Sequence, residues 1–392
     1  DGEDEKDFLT GFFPTMSKMA TNIFLKGYQW LFDPQRIENF QSSLIDVLVF
    51  SETQKGRRVF LDFTRNPVGG ASMKEFDLKD LEPDAREYLG KNGAMQAPPI
   101  ERLAHMNPLA IDIYRENGID ISAEPLEIAV CAQHNNGGFA VDNWWQSSLA
   151  GTFVIGEMAG THGVKRPGGS ALNAGQVGGL RAAEFIVNAC GTEVAAGRFC
   201  VENERELKSL EDKLAAFCAS SKGRRPREVI REIQSRMTAS GGHIRRLKDC
   251  EQALAEALAL YRDIRKHGLK ACNAQDFIAA VQGEHLALAS VAFLKAMATL
   301  LRQGCGSRGS HLVLTNDGTE IHPDVVDLGC GKALKFKPEN EALRESILRT
   351  CYDEDAEDLF RCESVPVRAV EKALKAFEVA WRDFREGKIY GE

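Results

Sequence analysis

Much of what marks a specialised chain is missing from these 392 residues. No uninterrupted apolar run approaches the roughly 18 residues of a membrane-spanning helix. The acidic opening Asp1-Gly2-Glu3-Asp4-Glu5 carries no apolar signal core, and without a starting Met Asp1 need not be the natural N-terminus. None of the ten cysteines stands in C-x-x-C spacing, which excludes a compact zinc site or a dithiol motif of that kind. Positive charge is not in excess either. Lys and Arg number 49 against 57 Asp and Glu, a net charge of -8, which argues against broad nucleic-acid binding. Internal repeats and low-complexity tracts are absent.

What remains is the balance of an ordinary soluble globular protein, with 43% hydrophobic and 27% charged residues. The length allows two or more domains, each with its own core. Several cysteines sit at apolar helix positions, as Cys250 does beside Leu247 and Leu254. That pattern predicts reduced, mostly buried thiols in a cytoplasmic protein.

Along the chain, residues 1–124 mix helical stretches with one strand, Val59-Phe60-Leu61-Asp62-Phe63, after the basic turn Lys55-Gly56-Arg57-Arg58. The stretch 100–117 reads as a helix restarted at Pro108 and ended by Gly118. Residues 127–131 and 152–155 read as strands, the second running into a Gly-rich loop from Gly156 to Gly169 and then a helix over 170–188. From 201 to 303 the pattern is helical, with Leu207, Leu210, Leu214 and Phe217 at helical spacing and breaks at Gly241-Gly242 and Gly268. Such spacing predicts an antiparallel bundle. The stretch 313–392 reads as an irregular tail with a helix near 369–385.

The densest signal lies in Gly156–Gly179, GEMAGTHGVKRPGGSALNAGQVGG. A strand ending in Gly-Glu delivers a carboxylate where it can accept from sugar hydroxyls. Glycines after it let the backbone approach a flat group closely. The helix then starts near Ser170, so its unpaired N–H groups and positive dipole end face the loop. A bare glycine pattern would fit a tightly packed α/β unit equally well. The ordered set Gly156-Glu157, His162-Gly163, Arg166, Gly168-Gly169 and Leu172 is more specific.

This set resembles the G-E-x-A-C…H-G-A-N-R-L-G-x-N-S-L stretch of the succinate dehydrogenase/fumarate reductase flavoprotein-subunit superfamily, which includes L-aspartate oxidase and adenylylsulfate reductase flavoprotein subunits. Upstream, His134-Asn135-Asn136-Gly137-Gly138 stands where that family has H-Y-x-M-G-G. Gly56-Arg57-Arg58-Val59-Phe60-Leu61-Asp62 resembles its capping-domain G-R-G-V-F-L-D. Ser307-Arg308-Gly309-Ser310-His311 resembles its S-R-G-A-H. The resemblance implies FAD as cofactor, with Glu157 on its ribose, Ser170, Ala171 and Leu172 against the flavin pyrimidine edge, and Gly156, Gly168 and Gly169 at close backbone approach. Arg166 would hold a substrate carboxylate through its planar fork and act in catalysis. His134 is the second catalytic candidate, and His162 and Gln133 join Arg166 as substrate-binding candidates.

Departures from the family pattern redirect the expectation. Gln133 occupies the family's substrate-binding His position, and His134 falls where it has Tyr. The Arg-Asp pair that the family uses as proton donor is replaced by the neighbourhood Phe40–Asp46, which carries no arginine. The spacing from Glu157 to His162 is two residues shorter, and Pro167 replaces Leu. No G-x-G-x-x-G follows a strand, so the family's dinucleotide-binding N-terminal half is expected to be missing and to be needed for FAD binding. That absence predicts an exposed apolar surface on residues 1–60, where Phe12, Phe13, Phe24, Tyr28, Trp30 and Phe32 cluster.

Three other features carry weaker alternatives. The basic run 222–248 fits either a docking face for an acidic electron-transfer partner or a solvated helix face. Cys305, His311, His322 and Cys330 can be drawn as a zinc set only at spacings of no compact pattern. Trp144-Trp145 fits either a pocket wall or a packed turn.

The expected fold is α/β plus helical. It comprises a partial capping domain (1–124), the C-terminal segment of a Rossmann-like FAD-binding domain (125–195), an antiparallel helical bundle (196–312) and a tail (313–392). The expected function is hydride transfer between flavin and a small carboxylated substrate, diverged from fumarate and succinate chemistry. The implied partners are an N-terminal dinucleotide-binding half or chain and an iron–sulfur electron-transfer subunit. A non-catalytic assembly or scaffold subunit is the alternative.

Overall fold

In the computed structural model the described residues are 6–28, 32–131, 137–164, 169–189, 201, 203–219, 222–328, 331–367 and 382–388. The chain divides into two units, residues 1–133 with 306–339 and residues 134–305 with 340–392.

The first unit is built on α1 (Met16–Tyr28) and α2 (Ser42–Gln54), which pack on each other. Met16, Met19, Leu44, Val47 and Leu48 form their buried seam. Inside that seam Lys26 Nζ lies 2.7 Å from Asp46, whose side chain is only 8% exposed. Burial pushes the Asp46 carboxyl up, and Lys26 opposes this only in part. Then come β1 (Val59–Leu61), α3 (Pro83–Lys91), α4 (Pro99–Met106) and α5 (Pro108–Glu116). The break before Pro108 and the positive φ of Gly118 follow the sequence reading. The strand β2 (Leu126–Ile128) closes antiparallel on β1, with Val59 opposite Ile128. After residue 306, β3 (Leu312–Glu320) folds antiparallel onto β4 (Lys335–Phe336) with a shift in register between Leu314 and Thr319.

The exposed apolar surface predicted for residues 1–60 is not found. Phe13 and its helical neighbours are buried in the seam just described, and among the described residues of that stretch Phe60 is the large apolar side chain left well exposed. The physical reason is that α1 and α2 supply each other's apolar cover. Trp30 and the side chain of Tyr28 lie outside the described residues.

The second unit holds α6 (Ser170–Ala189) and then α7 (Glu204–Ala219), α8 (Pro226–Gly241), α9 (Leu247–His267) and α10 (Ala274–Arg302). Turns at Gly241-Gly242 and Gly268 separate the last three, as the sequence implies. Helix α10 buries Ala279, Ala280, Gly283, Ala287, Val291, Leu294 and Ala298 along one stripe. Small residues at helical spacing let the axes of α8, α9 and α10 approach closely. By length and mean hydropathy α10 could cross a membrane, although polar residues interrupt its apolar run. Its buried face nevertheless carries Glu284, held by Lys213 at 2.9 Å and Arg265 at 3.2 Å, and belongs to the bundle core.

The tail is more regular than expected. Strands β5 (Ser346–Tyr352) and β6 (Phe360–Pro366) form an antiparallel hairpin in unbroken register, from Ser346 opposite Pro366 to Tyr352 opposite Phe360. Its connection is long and turns through Leu359 at φ 64, without the two-residue Asn-Gly type signal that reveals a hairpin in sequence. Most of the predicted helix at 369–385 lies outside the described residues. The cysteines also differ from expectation. Cys250 is buried, but Cys131, Cys272 and Cys351 are exposed, because they fall on loops and on a hairpin face rather than on core stripes.

The turn before β1 shows how its motif residues are used. The Glu52 side chain, 8% exposed, accepts from Lys55 at 2.6 Å and Arg57 at 2.7 Å. Burial alone would raise this carboxyl, but the bonds from Lys55 and Arg57 more than offset it and hold it below its ordinary value of 4.5. A lowered folded value stabilises the fold above pH 4.5, and that contribution is lost as pH falls through it. Replacing Glu52 by Gln is therefore expected to cost about 1–3 kcal/mol at pH 7. Urea midpoints should differ between wild type and variant at pH 7 and converge below pH 4.5. An equal gap at both would rule out the charged form as the stabilising species.

Candidate functional site

Residues 137–164 lead from the His134 segment to the Gly-rich loop and on toward α6. Gly138 and Phe139 run alongside Met158–Gly160. The Phe139 N–H donates to the Met158 carbonyl at 2.8 Å, and the Gly160 N–H donates to the Phe139 carbonyl at 3.0 Å. Together they form a parallel bridge between Phe139 and Ala159. A Cβ on Gly138 would stand 2.3 Å from the Met158 carbonyl oxygen and 2.8 Å from the Ala159 carbonyl carbon. Two sequence motifs some twenty residues apart thus meet through backbone alone.

The carboxylate follows directly. Gly156, at φ +70, opens a 3-10 turn over Gly156–Met158 that carries Glu157. The Glu157 side chain is 50% exposed, and Nδ1 of the buried His162 lies 3.9 Å from its Oε1. The predicted strand over 152–155 is reduced to a bridge of Phe153 with Gln146, because Val154 donates to the Trp145 carbonyl in a local turn. The helix α6 starts at Ser170 as expected, with the Asn173 N–H bonded to the Gly169 carbonyl at 3.3 Å. Gly175 faces Gly156, where a Cβ would sit 3.5 Å from the Gly175 Cα, and Gly178 lies under the Trp145 ring.

Of the residues singled out in sequence, the structure brings Gly156, Glu157 and His162 into one turn, with Gly169, Ser170, Ala171 and Leu172 at the start of α6. Gln133, His134, Arg166 and Gly168 lie outside the described residues. Asp142 and Gly178 were not anticipated. With Trp145, they shape the turn under the loop, and their roles rest on backbone geometry and one ring contact. Apolar side chains also stand open here. Phe139, Ile155, Met158, Leu172, Val177, Leu180 and Val187 are exposed, Leu172 at 74% and Val187 at 82%. On α6 the open residues Leu180 and Val187 fall on the side away from Gly175 and Gly178, which meet the turn.

The other landmarks serve the fold. Arg58 is paired to Glu127 at 2.7 Å across β1 and β2, and Asp62 accepts from Thr64 and Arg65. Ser307 accepts the Val313 N–H at 2.9 Å, and Arg308 reaches Glu339 at 2.8 Å. The basic run is only in part a solvated face: Arg224, Arg225, Arg227 and Arg231 are exposed, whereas Arg245 is buried and the buried Arg236 side chain pairs with Glu232 and Glu256. No cluster of three metal-ligating side chains occurs among the described residues, and Cys330 lies outside them. Trp144 and Trp145 pack in a turn. A cleft between α10 and the hairpin is lined by Lys295, Arg302, Asp353 and Asp358, but Lys295 is closed on Asp358 and Arg302 on Glu251.

Since the Gly138 contacts are backbone on both sides, the neighbours cannot swing away. Gly138→Ala is expected to destabilise the second unit by about 1–3 kcal/mol and to open the bridge. Hydrogen exchange at the Phe139 and Gly160 amides should speed up, and unchanged exchange would show that the bridge does not depend on this glycine.

No protein-family model matches the chain. It is 31% identical over 144 residues to a CoM/CoB fumarate reductase polypeptide from Methanothermobacter marburgensis, covering 36% of this chain and 25% of that protein. An L-aspartate oxidase from Agrobacterium fabrum is 35% identical over 105 residues, 26% of this chain and 18% of the oxidase. The fold matches a quinol–fumarate reductase solved with menaquinol molecules at TM-score 0.56 and 16% identity, covering 85% of this chain and 51% of that one. An E. coli quinol fumarate reductase matches at TM-score 0.53 and 15% identity, covering 84% and 57%. The chain thus spans about half the length of these solved relatives and a quarter or less of these two sequence relatives. The chain is similar in part of its sequence to fumarate reductase and L-aspartate oxidase and in fold to quinol–fumarate reductase, the likeness expected of the succinate dehydrogenase/fumarate reductase flavoprotein superfamily.

Proposed function

We propose that the chain forms part of an FAD-dependent oxidoreductase acting on a small carboxylated substrate. The observation that carries this reading is the Phe139–Ala159 bridge. It sets the segment after His134 beside the turn that presents Glu157 and leads on to α6. The surroundings suit a flat, sugar-bearing cofactor. A half-exposed carboxylate stands on a glycine turn, and apolar side chains of Phe139, Met158 and Leu172 lie open nearby in the chain.

In this reading Glu157 accepts hydrogen bonds from ribose hydroxyls. Gly156, Gly168 and Gly169 allow close backbone approach, and the N–H groups at the start of α6, at Ser170, Ala171 and Leu172, face the pyrimidine edge. Flavin, when bound, supplies hydride transfer at N5. Arg166 holds a substrate carboxylate by its bidentate fork and His162 and Gln133 shape the substrate pocket, while His134 and Arg166 serve catalysis. The loss of the family's Arg-Asp pair and of its histidine at position 133 points to a substrate other than fumarate or succinate.

The open face of α6 belongs to the same reading. Leu180 and Val187 would pack against a dinucleotide-binding half, on the same polypeptide or another, that grips the FAD pyrophosphate. An iron–sulfur electron-transfer protein is the further partner suggested by the family resemblance.

Two outcomes test this. With the dinucleotide-binding half present, flavin absorbance should appear, and Glu157→Ala should lower FAD affinity at least tenfold, about 1.4 kcal/mol. Leu180→Glu should leave the melting of the chain alone within about 0.5 kcal/mol while preventing flavin incorporation. No flavin in any combination would leave the non-catalytic scaffold as the better reading.

A further inference from the structure

The turn Asp142–Gln146 is built with more care than a connection needs. Trp145 sits at φ +66, a left-handed conformation that costs an aromatic residue of order 1–3 kcal/mol. Three sets of contacts hold it there. Asp142 Oδ1 accepts the N–H groups of Trp144 at 2.8 Å and Gln146 at 3.0 Å, and the Asp142 carbonyl accepts from Trp145 at 3.2 Å. The Trp145 carbonyl in turn accepts the Val154 N–H at 2.9 Å, two residues before Gly156. Its indole lies over Gly178 of α6, where a Cβ would stand 2.7 Å from the ring.

Trp144, next to it, anchors the turn to the same helix. Its ring stacks on Phe185 at 5.3 Å and lies under the Arg181 guanidinium at 4.4 Å. Arg181 Nε donates to the Asn143 carbonyl at 3.1 Å. One face of α6 is thereby clamped to the turn that delivers Glu157.

We infer that Trp145 is a positioning residue, which sets the distance between the Glu157 turn and α6 by filling the Gly178 notch. This rests on the FAD reading above. A carboxylate meant for ribose hydroxyls and helix N–H groups meant for the far end of the same ligand must keep a fixed separation. Among the described residues nothing between them is a regular sheet, since the bridges here are isolated pairs. The indole acts as the spacer that a strand ladder would otherwise provide. Its left-handed backbone turns the ring toward α6 while the carbonyl still bonds to Val154.

The deciding variants are Trp145→Gly, which removes the ring and relieves the backbone strain, and Trp145→Phe, which keeps a smaller ring. Trp145→Gly should leave the melting temperature close to wild type, speed hydrogen exchange at Val154–Gly160, and weaken FAD binding about tenfold or more. Trp145→Phe should recover most of that affinity. If Trp145→Gly does not fold, Asp142→Ala keeps the indole but removes the turn's acceptor, and should give the same loss of affinity. Wild-type exchange and affinity in the folded variants, with Glu157→Ala still abolishing FAD binding, would overturn the spacer role and leave the FAD reading intact. No FAD binding by the wild-type assembly, and hence no effect of Glu157→Ala, would remove both.

Discussion

The candidate site depends on backbones meeting where no Cβ stands between them. Gly138 lies against Met158–Gly160, Gly156 lies against Gly175, and Gly178 lies beneath the Trp145 ring. The hydrogen bonds of the Phe139–Ala159 bridge contribute only about 1 kcal/mol each. A methyl group 2.3 Å from a carbonyl oxygen would cost more than such a bond returns. Residue identity at these glycines, more than bond strength, therefore decides whether the two motif segments come together.

The same constraint divides α6 into two faces. One is small and close-packed, with Gly178 and Ala182 buried, and it takes the turn at 142–158. The other bears Leu180 and Val187 in the open. The bundle helix α10 uses small residues differently. Its Ala and Gly stripe is covered by α8 and α9, and its one buried charge, Glu284, has two cations. Small residues bring elements close in both helices, and both leave apolar side chains in the open, Leu180 and Val187 on α6 and Ile278, Leu286 and Phe293 on α10.

Sequence pattern revealed the long helices well, because a 3.6-residue apolar period repeated over four or more turns is hard to mistake. The restart at Pro108 and the breaks at Gly241 and Gly268 followed from backbone rules alone. Strands were read less well. The hairpin Ser346–Pro366 carries apolar residues on both faces, as in the neighbours Ile347 and Leu348, and buries few of them, so no period of two stands out. The predicted strand before Gly156 dissolved into a local turn, since its pairing partner is the adjacent segment rather than a sheet. In the site, Glu157, His162 and Ser170 were legible as side chains or as a helix start. The left-handed Trp145 was not, because no local signal marks an aromatic residue for positive φ.

The balance between an enzyme part and a scaffold turns on what each requires of these residues. A scaffold needs buried apolar seams and satisfied polar groups, which the α1–α2 pair and the bundle already provide. It has no need for a half-exposed carboxylate on a glycine turn with a buried imidazole 3.9 Å away. Nor does it need a strained tryptophan beneath that turn, since a glycine at 145 would adopt the same φ without cost. The motif residues that serve stability, Arg57, Arg58, Asp62 and Arg308, are each closed in ion pairs. Glu157 stands on a glycine turn beside the strained backbone of Trp145. The left-handed backbone of Trp145 costs stability, a cost that the proposed cofactor at the turn would account for.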